Sequence, residues 1–236
     1  MTSILLLGLL IGMRHALEAD HVAAVASLVT STRSVRQTVR IGTVWGIGHT
    51  LTLFLLGGLV LSLDTAVPER LAHGLEFAVG IMLVFLGLDV IRQVASKRVH
   101  FHRHAHGDGR VHFHAHSHRG ERGPHDPKVH DHTHSQRFPI RALAVGMMHG
   151  MAGTAALLLL ALHTVQSTMQ GIAYILVFGT GSIVGMALLS LALAIPLRYS
   201  AHSLSWAHNG LQNGIGIATV TLGCFVIYES AGAGFL

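Results

Sequence analysis

The chain has 236 residues, half of them apolar, with 11% charged and a mean hydropathy of +0.53. A soluble globular domain carries about 25% charged residues, so composition excludes that class and places the chain among membrane proteins. The net charge of +5 would suit a nucleic-acid binder, but the basic residues fall in short loops between apolar runs, so no nucleic-acid partner is expected.

The first apolar run covers residues 3–30. It lacks a basic start, and a charged stretch follows where a cleavage site would belong, so it reads as a retained span rather than a signal peptide. That stretch, "GMRHALEADHVAAV" at 12–25, carries Arg14, His15, Glu18, Asp20 and His21. An ionisable side chain at the bilayer centre costs at least about 2.5–3.5 kcal/mol, so these groups must pair. On a regular helix Arg14 and Glu18 form an i,i+4 ion pair, which predicts Glu18 as the counter-charge of Arg14. Mutual neutralisation in a helix interface would be a purely structural account of the group. Against it, Asp20 falls about 140° round a regular helix from His15. Either the helix unwinds here, or a partner helix completes a site made by His15, Asp20 and His21.

Further runs at 41–63, 74–91, 139–165, 169–196 and 209–228 predict five more spans of roughly 20 residues each. Lone buried histidines are usually packing residues, but two more occur here, His49 in "WGIGHTLTLF" and His149 in "GMMHGMAGTAALL". Thirteen of the sixteen Lys and Arg lie in loops 31–40, 92–137 and 197–208. The excess puts those loops in the cytoplasm and both termini outside, in a multi-pass protein of the plasma or inner membrane. Cys224, the single cysteine, excludes an intramolecular disulfide and reads as a packing residue in an apolar run.

Between the third and fourth spans, residues 100–134 hold twelve histidines, with "VHFHRHAH" at 99–106 recurring as "VHFHAHSH" at 111–118. Few apolar groups accompany them, which predicts a disordered cytoplasmic segment with weak, multi-site metal binding.

The two halves match. "GMRHALEA" (12–19) reads against "GMMHGMAG" (146–153), "WGIGHT" (45–50) against "FGTGSI" (178–183), and "VGIMLVFLGLDVI" (79–91) against "IGIATVTLGCFVI" (215–227). The offset is nearly constant across three spans. With three spans per half, the copies must cross the membrane in opposite senses, as in many transporters. The expected architecture is all-α, with six transmembrane helices in two inverted three-helix repeats: residues 1–98, the histidine-rich loop 99–137, and residues 138–236.

Neutral imidazole suits Ni²⁺, Co²⁺, Cu²⁺ or Zn²⁺, whereas Mg²⁺ and Ca²⁺ demand oxygen ligands, and the missing thiolates argue against Cu(I). The candidate metal residues are therefore His15, Asp20, His21 and His49, with His149 behind them. Because imidazole must be neutral to bind, binding should weaken below about pH 6.5.

His15-x4-Asp20-His21 resembles the HX4DH signature of the nickel/cobalt transporters, and "GIGHT" at 46–50 resembles the Gly-His-Ser/Thr motif of their next helix. "MMHGMAGTAALL" and "FGTGSIVGMALLS" resemble the urease-accessory H-type membrane proteins of the same superfamily. The resemblance spans most of the chain outside 92–137. It implies a permease for Ni²⁺ or Co²⁺ rather than an enzyme, with no prosthetic group and with cytoplasmic metallochaperones as partners. Typical nickel/cobalt permeases have eight spans with the signature in the second, whereas here it sits in the first. Uptake is the expected direction, and export, coupled through Glu18, Glu76 or Asp89, is the alternative within the superfamily. Two other classes fit fewer residues: a metal-sensing membrane protein using the loop, and an acyltransferase of the HX4D type built on His15 and Asp20.

Overall fold

The computed structural model describes residues 2–30, 32, 34–63, 68–96, 99–105, 111–117, 138–164, 167–203 and 205–235. Seven helices follow in order: α1 (Thr2–His15), α2 (Ala19–Val29), α3 (Val35–Leu63), α4 (Glu69–Ser96), α5 (Ile140–Thr164), α6 (Thr168–Ser203) and α7 (Ser205–Phe235). Four stretches, Val35–Leu63, Glu69–Ser96, Met169–Leu197 and Ala207–Ala233, are long and apolar enough to cross a membrane. α5 coincides with the fourth apolar run of the sequence. Most helices run past the apolar runs by several residues, because a helix can continue into its polar flanks after the hydrocarbon ends.

The first expected span is two short helices rather than one. α1 stops at His15, and Leu17 and Glu18 donate their amides to the carbonyls of Arg14 and His15 (2.9 and 3.0 Å). Glu18 is extended at φ −63°, ψ 146°, and α2 resumes with the Val22 amide donating to the Glu18 carbonyl at 2.9 Å. Ala16, Leu17 and Glu18 are all good helix formers. The interruption therefore runs against intrinsic propensity, and at it the Glu18 side chain turns back to His15.

The helices pack by close backbone approach at small residues. α4 crosses α7 where Gly80 and Gly87 face Gly223 and Gly216, and a Cβ on Gly87 would lie 2.6 Å from the Gly216 carbonyl oxygen. α3 is central, packed against both α5 and α6, and α1 lies on α6. The buried apolar core includes Val25, Val29, Trp45, Leu83, Leu86 and Met186. Polar bonds tie α2 to α7: Ser27 Oγ and Thr219 Oγ1 are 2.9 Å apart, and Gln212 donates at 2.7 Å to the Thr30 carbonyl, which α2 leaves unpaired at its C-terminal end. Between α4 and α5, Arg141 meets Asp89 at 2.7 Å.

Part of the loop expected to lack regular structure forms a hairpin. β1 (Val99–Ala105) and β2 (Val111–Ser117) pair antiparallel, with His100 opposite His116, His102 opposite His114 and His104 opposite His112. The repeated "VHFH" halves supply two strands of matching pattern, and an isolated two-stranded hairpin is marginal in water at best. His106, His118, His125, His130, His132 and His134 lie outside the described residues.

Candidate metal site

The break between α1 and α2 determines where the histidines point. On a continuous helix, His15 and His21 would project about 120° apart. Here their rings meet edge to face with centroids 4.4 Å apart. α3 brings His49 to the same point, fully buried: its Nε2 is 3.3 Å from His15 Nε2 and 3.4 Å from His21 Nε2. Imidazole nitrogens lie about 2.0–2.1 Å from a bound zinc-sized ion, so neighbouring donors of a tetrahedral site sit about 3.3–3.4 Å apart. Both edges that meet at His49 Nε2 therefore match the donor spacing of a tetrahedral site.

The His15 and His21 rings are turned by what their other nitrogens bond. His15 Nδ1 is 2.8 Å from Glu18 Oε1, and His21 Nδ1 is 2.8 Å from Asp20 Oδ1. A carboxylate can only accept, so both Nδ1 atoms carry the hydrogen and both Nε2 atoms present a lone pair. This carboxylate–histidine arrangement is the usual support behind metal-binding imidazoles. The 2.8 Å bond from the His21 amide to Asp20 Oδ1 fixes the carboxylate in turn.

His149 approaches from α5, with its Nδ1 3.3 Å from the Val145 carbonyl, which leaves a lone pair on Nε2. That Nε2 is buried without a hydrogen bond among the described residues and lies 3.7 Å from Asp20 Oδ2. Two sets of candidate ligands result: His15, His21 and His49, and Asp20, His21 and His149. Within each set the donor atoms lie within 4.8 Å of one another. All five residues singled out in the sequence are thus gathered at one place, and His21 belongs to both sets.

The expected Arg14–Glu18 ion pair does not form. Glu18 bonds His15 instead, because α1 ends at His15 and the i,i+4 geometry that pair requires never develops. Arg14 is exposed on the wall of a cavity of about 380 Å³ that His15, His21 and His149 share with Glu18, Asp20 and Glu76. Among the other acidic residues, Glu76 reaches His73 at 3.4 Å, and Asp89 is engaged by Arg141 away from the cavity lining.

Two residues at the site were not singled out in the sequence. Trp45, wholly buried one helical turn before His49, stacks on that ring at 5.2 Å with an interplanar angle of 19°, and lies 5.0 Å from the His21 ring and 5.3 Å from that of His149. The i,i+4 spacing to His49 was its only signal in the sequence. Gly153, one turn after His149, leaves space beside the triad: a Cβ there would stand 3.9 Å from His49 Nε2 and 4.0 Å from His15 Nε2. An ion's remaining water molecules could occupy that space.

The chain is 32% identical over 233 residues to the urease accessory protein UreH of Bacillus sp. (strain TB-90), across 96% of this chain and 91% of that protein. No family model matches the chain, and no solved structure does.

Proposed function

The chain belongs to the UreH family of urease accessory proteins, and we propose that it is a permease carrying Ni²⁺ or Co²⁺ into the cell. The observation that carries this reading is a trio of histidines in which His49 Nε2 stands at tetrahedral donor spacing from His15 and His21, whose rings two carboxylates hold inside a broken helix within an apolar bundle. Irregular backbone at membrane depth is tolerated where it lines a protein-enclosed cavity, and transporters build ion sites there. Imidazoles and one carboxylate bind a borderline divalent ion without the grip of a thiolate cage, so the ion can leave.

In this reading α1 and α2 together form the first of six spans, and the halves are inverted repeats. Matching contacts support the symmetry. A Cβ on Gly12 would overlap the Phe178 carbonyl, and a Cβ on the matched Gly146 would overlap that of Trp45. The His15 and Phe178 rings lie 5.3 Å apart, as do those of their counterparts His149 and Trp45. α4 and α7, the third helix of each half, pack on one another. The basic loops then face the cytoplasm of a plasma or inner membrane, where the histidine-rich segment 99–137 buffers arriving metal and passes it to metallochaperones.

An inside-negative potential drives entry of a 2+ ion by about 4.6 kcal/mol per 100 mV, so uptake needs no further coupling. The test is accumulation of ⁶³Ni²⁺ and ⁵⁷Co²⁺ by cells with and without the gene. Uptake by the unmodified protein, lost in His15→Ala and His21→Ala variants present in the membrane at normal levels, supports the reading. Unchanged uptake by both variants makes the cluster structural, and faster loss of preloaded ion from gene-bearing cells makes the protein an exporter.

A further inference from the structure

The geometry points to two alternative ion positions that share His21, between which the transported ion is handed by a change of ring nitrogen. This rests on the proposed permease activity and adds how the ion moves through it.

The first position is made by His15, His21 and His49, the second by Asp20, His21 and His149; His21 turns Nε2 toward His49 of the first and Nδ1 toward Asp20 of the second, where His149 turns Nε2 toward the same carboxylate. The two sets use opposite nitrogens of the His21 ring. In the structure, His21 Nδ1 donates to Asp20 Oδ1 at 2.8 Å while its Nε2 faces His49 Nε2 at 3.4 Å, which is the arrangement that serves the first position. A neutral imidazole has only one lone pair, so His21 cannot hold an ion in both positions at once. Occupancy is mutually exclusive, and the chain carries one ion at a time.

The transfer balances. When the ion leaves Nε2 for Nδ1, a water molecule gives a hydrogen to the vacated Nε2 and the hydrogen of Nδ1 is released to water through Asp20. Asp20 changes from accepting that hydrogen to coordinating the ion, and no net proton enters or leaves. His149 is already prepared: the Val145 carbonyl holds its Nδ1, and its buried Nε2 has no hydrogen-bond partner among the described residues. The step exchanges two neutral imidazoles, His15 and His49, for one imidazole and one carboxylate. An ion that had to leave all its ligands for bulk water would face a high barrier. Asp20 and His149 wait on the other edge of the His21 ring, so the ion that releases the first position meets new ligands at once.

Trp45 gives a local reading of binding, because it lies within 5.3 Å of the His21, His49 and His149 rings, and Trp206→Phe leaves it the single tryptophan. In that background, with full-length protein in liposomes, Co²⁺ quenching of Trp45 gives the binding midpoint and ⁵⁷Co²⁺ influx gives transport. His15→Ala should raise the midpoint at least tenfold. His149→Ala should move it less than about threefold yet lower influx at least tenfold, because the ion still binds the first position but has lost the second. His149→Gln, which retains a polar end at that position, should do the same and guards against misfolding of the alanine variant.

Equal midpoint shifts in His15→Ala and His149→Ala would mean a single site and overturn the hand-off alone. Normal influx through both His149 variants would also overturn it. Neither quenching nor influx in the unmodified protein would overturn the hand-off together with the permease reading.

Discussion

In the first half of the chain "GMRHALEA" (12–19) ends a helix at His15; in the second half the matching "GMMHGMAG" (146–153) runs through α5 without interruption. Local propensity would have reversed that outcome. The unbroken copy contains Gly150 and Gly153, each worth about 1 kcal/mol against Ala in a helix interior, whereas the broken one passes through Ala16, Leu17 and Glu18. What separates the copies is polar load. Glu18, Asp20 and His21 face Ala152, Thr154 and Ala155 in the alignment, and His49 faces Ser182. The helix breaks where two carboxylates must each reach a histidine, and it stays whole where the copy carries no such partners. One half has kept the scaffold and the other carries most of the proposed ion chemistry.

That contrast can be pressed hardest at Glu18. Partners behind a metal-binding histidine typically change affinity or activity about 10–100-fold. Glu18→Leu removes the acceptor for His15 Nδ1 and should lower ⁶³Ni²⁺ uptake by about that range at normal membrane levels. Glu18→Gln keeps an accepting oxygen and should lose less than about tenfold. Equal loss in both variants would mean that charge, not ring orientation, is what Glu18 supplies.

A smaller effect, on stability, tests whether the halves are equivalent scaffolds. Gly12→Ala and Gly146→Ala each force a methyl against a carbonyl of the partner helix. Overpacking costs about 1–3 kcal/mol, so both variants should melt earlier in detergent, and by similar amounts. A large drop for one and none for the other would separate the copies structurally as well as chemically. The smallest effect is expected at Gly58, where nothing lies within 4 Å of an added Cβ. Gly58→Ala should leave uptake unchanged and raise thermal stability by at most about 1 kcal/mol.

The membrane class, the positions of the apolar runs and the five clustered residues were legible in the sequence. Apolar runs report burial in lipid directly, and a histidine or aspartate inside one is costly enough to announce itself. The internal match between the halves was read from segments at a nearly constant offset, and several of its glycines, among them Gly12, Gly146, Gly80 and Gly87, lie where helices approach closely. The Arg14–Glu18 pair was misread because its spacing assumed a continuous helix. The hairpin at 99–117 escaped because twelve histidines among few apolar residues signal composition and not pairing.

The sequence by itself determined which residues are too polar for their surroundings and that they would have to find partners. Only the tertiary structure decided who those partners are: Glu18 for His15, Asp20 for His21, the Val145 carbonyl for His149, and the Trp45 face for His49. The reason is directional. Hydropathy and spacing are properties of one helix at a time, but the orientation of an imidazole depends on where α1 stops and on how closely α3 and α5 approach. The approach of the helices is set by contacts between segments far apart in the chain, such as Gly12 against Phe178 and Gly146 against Trp45.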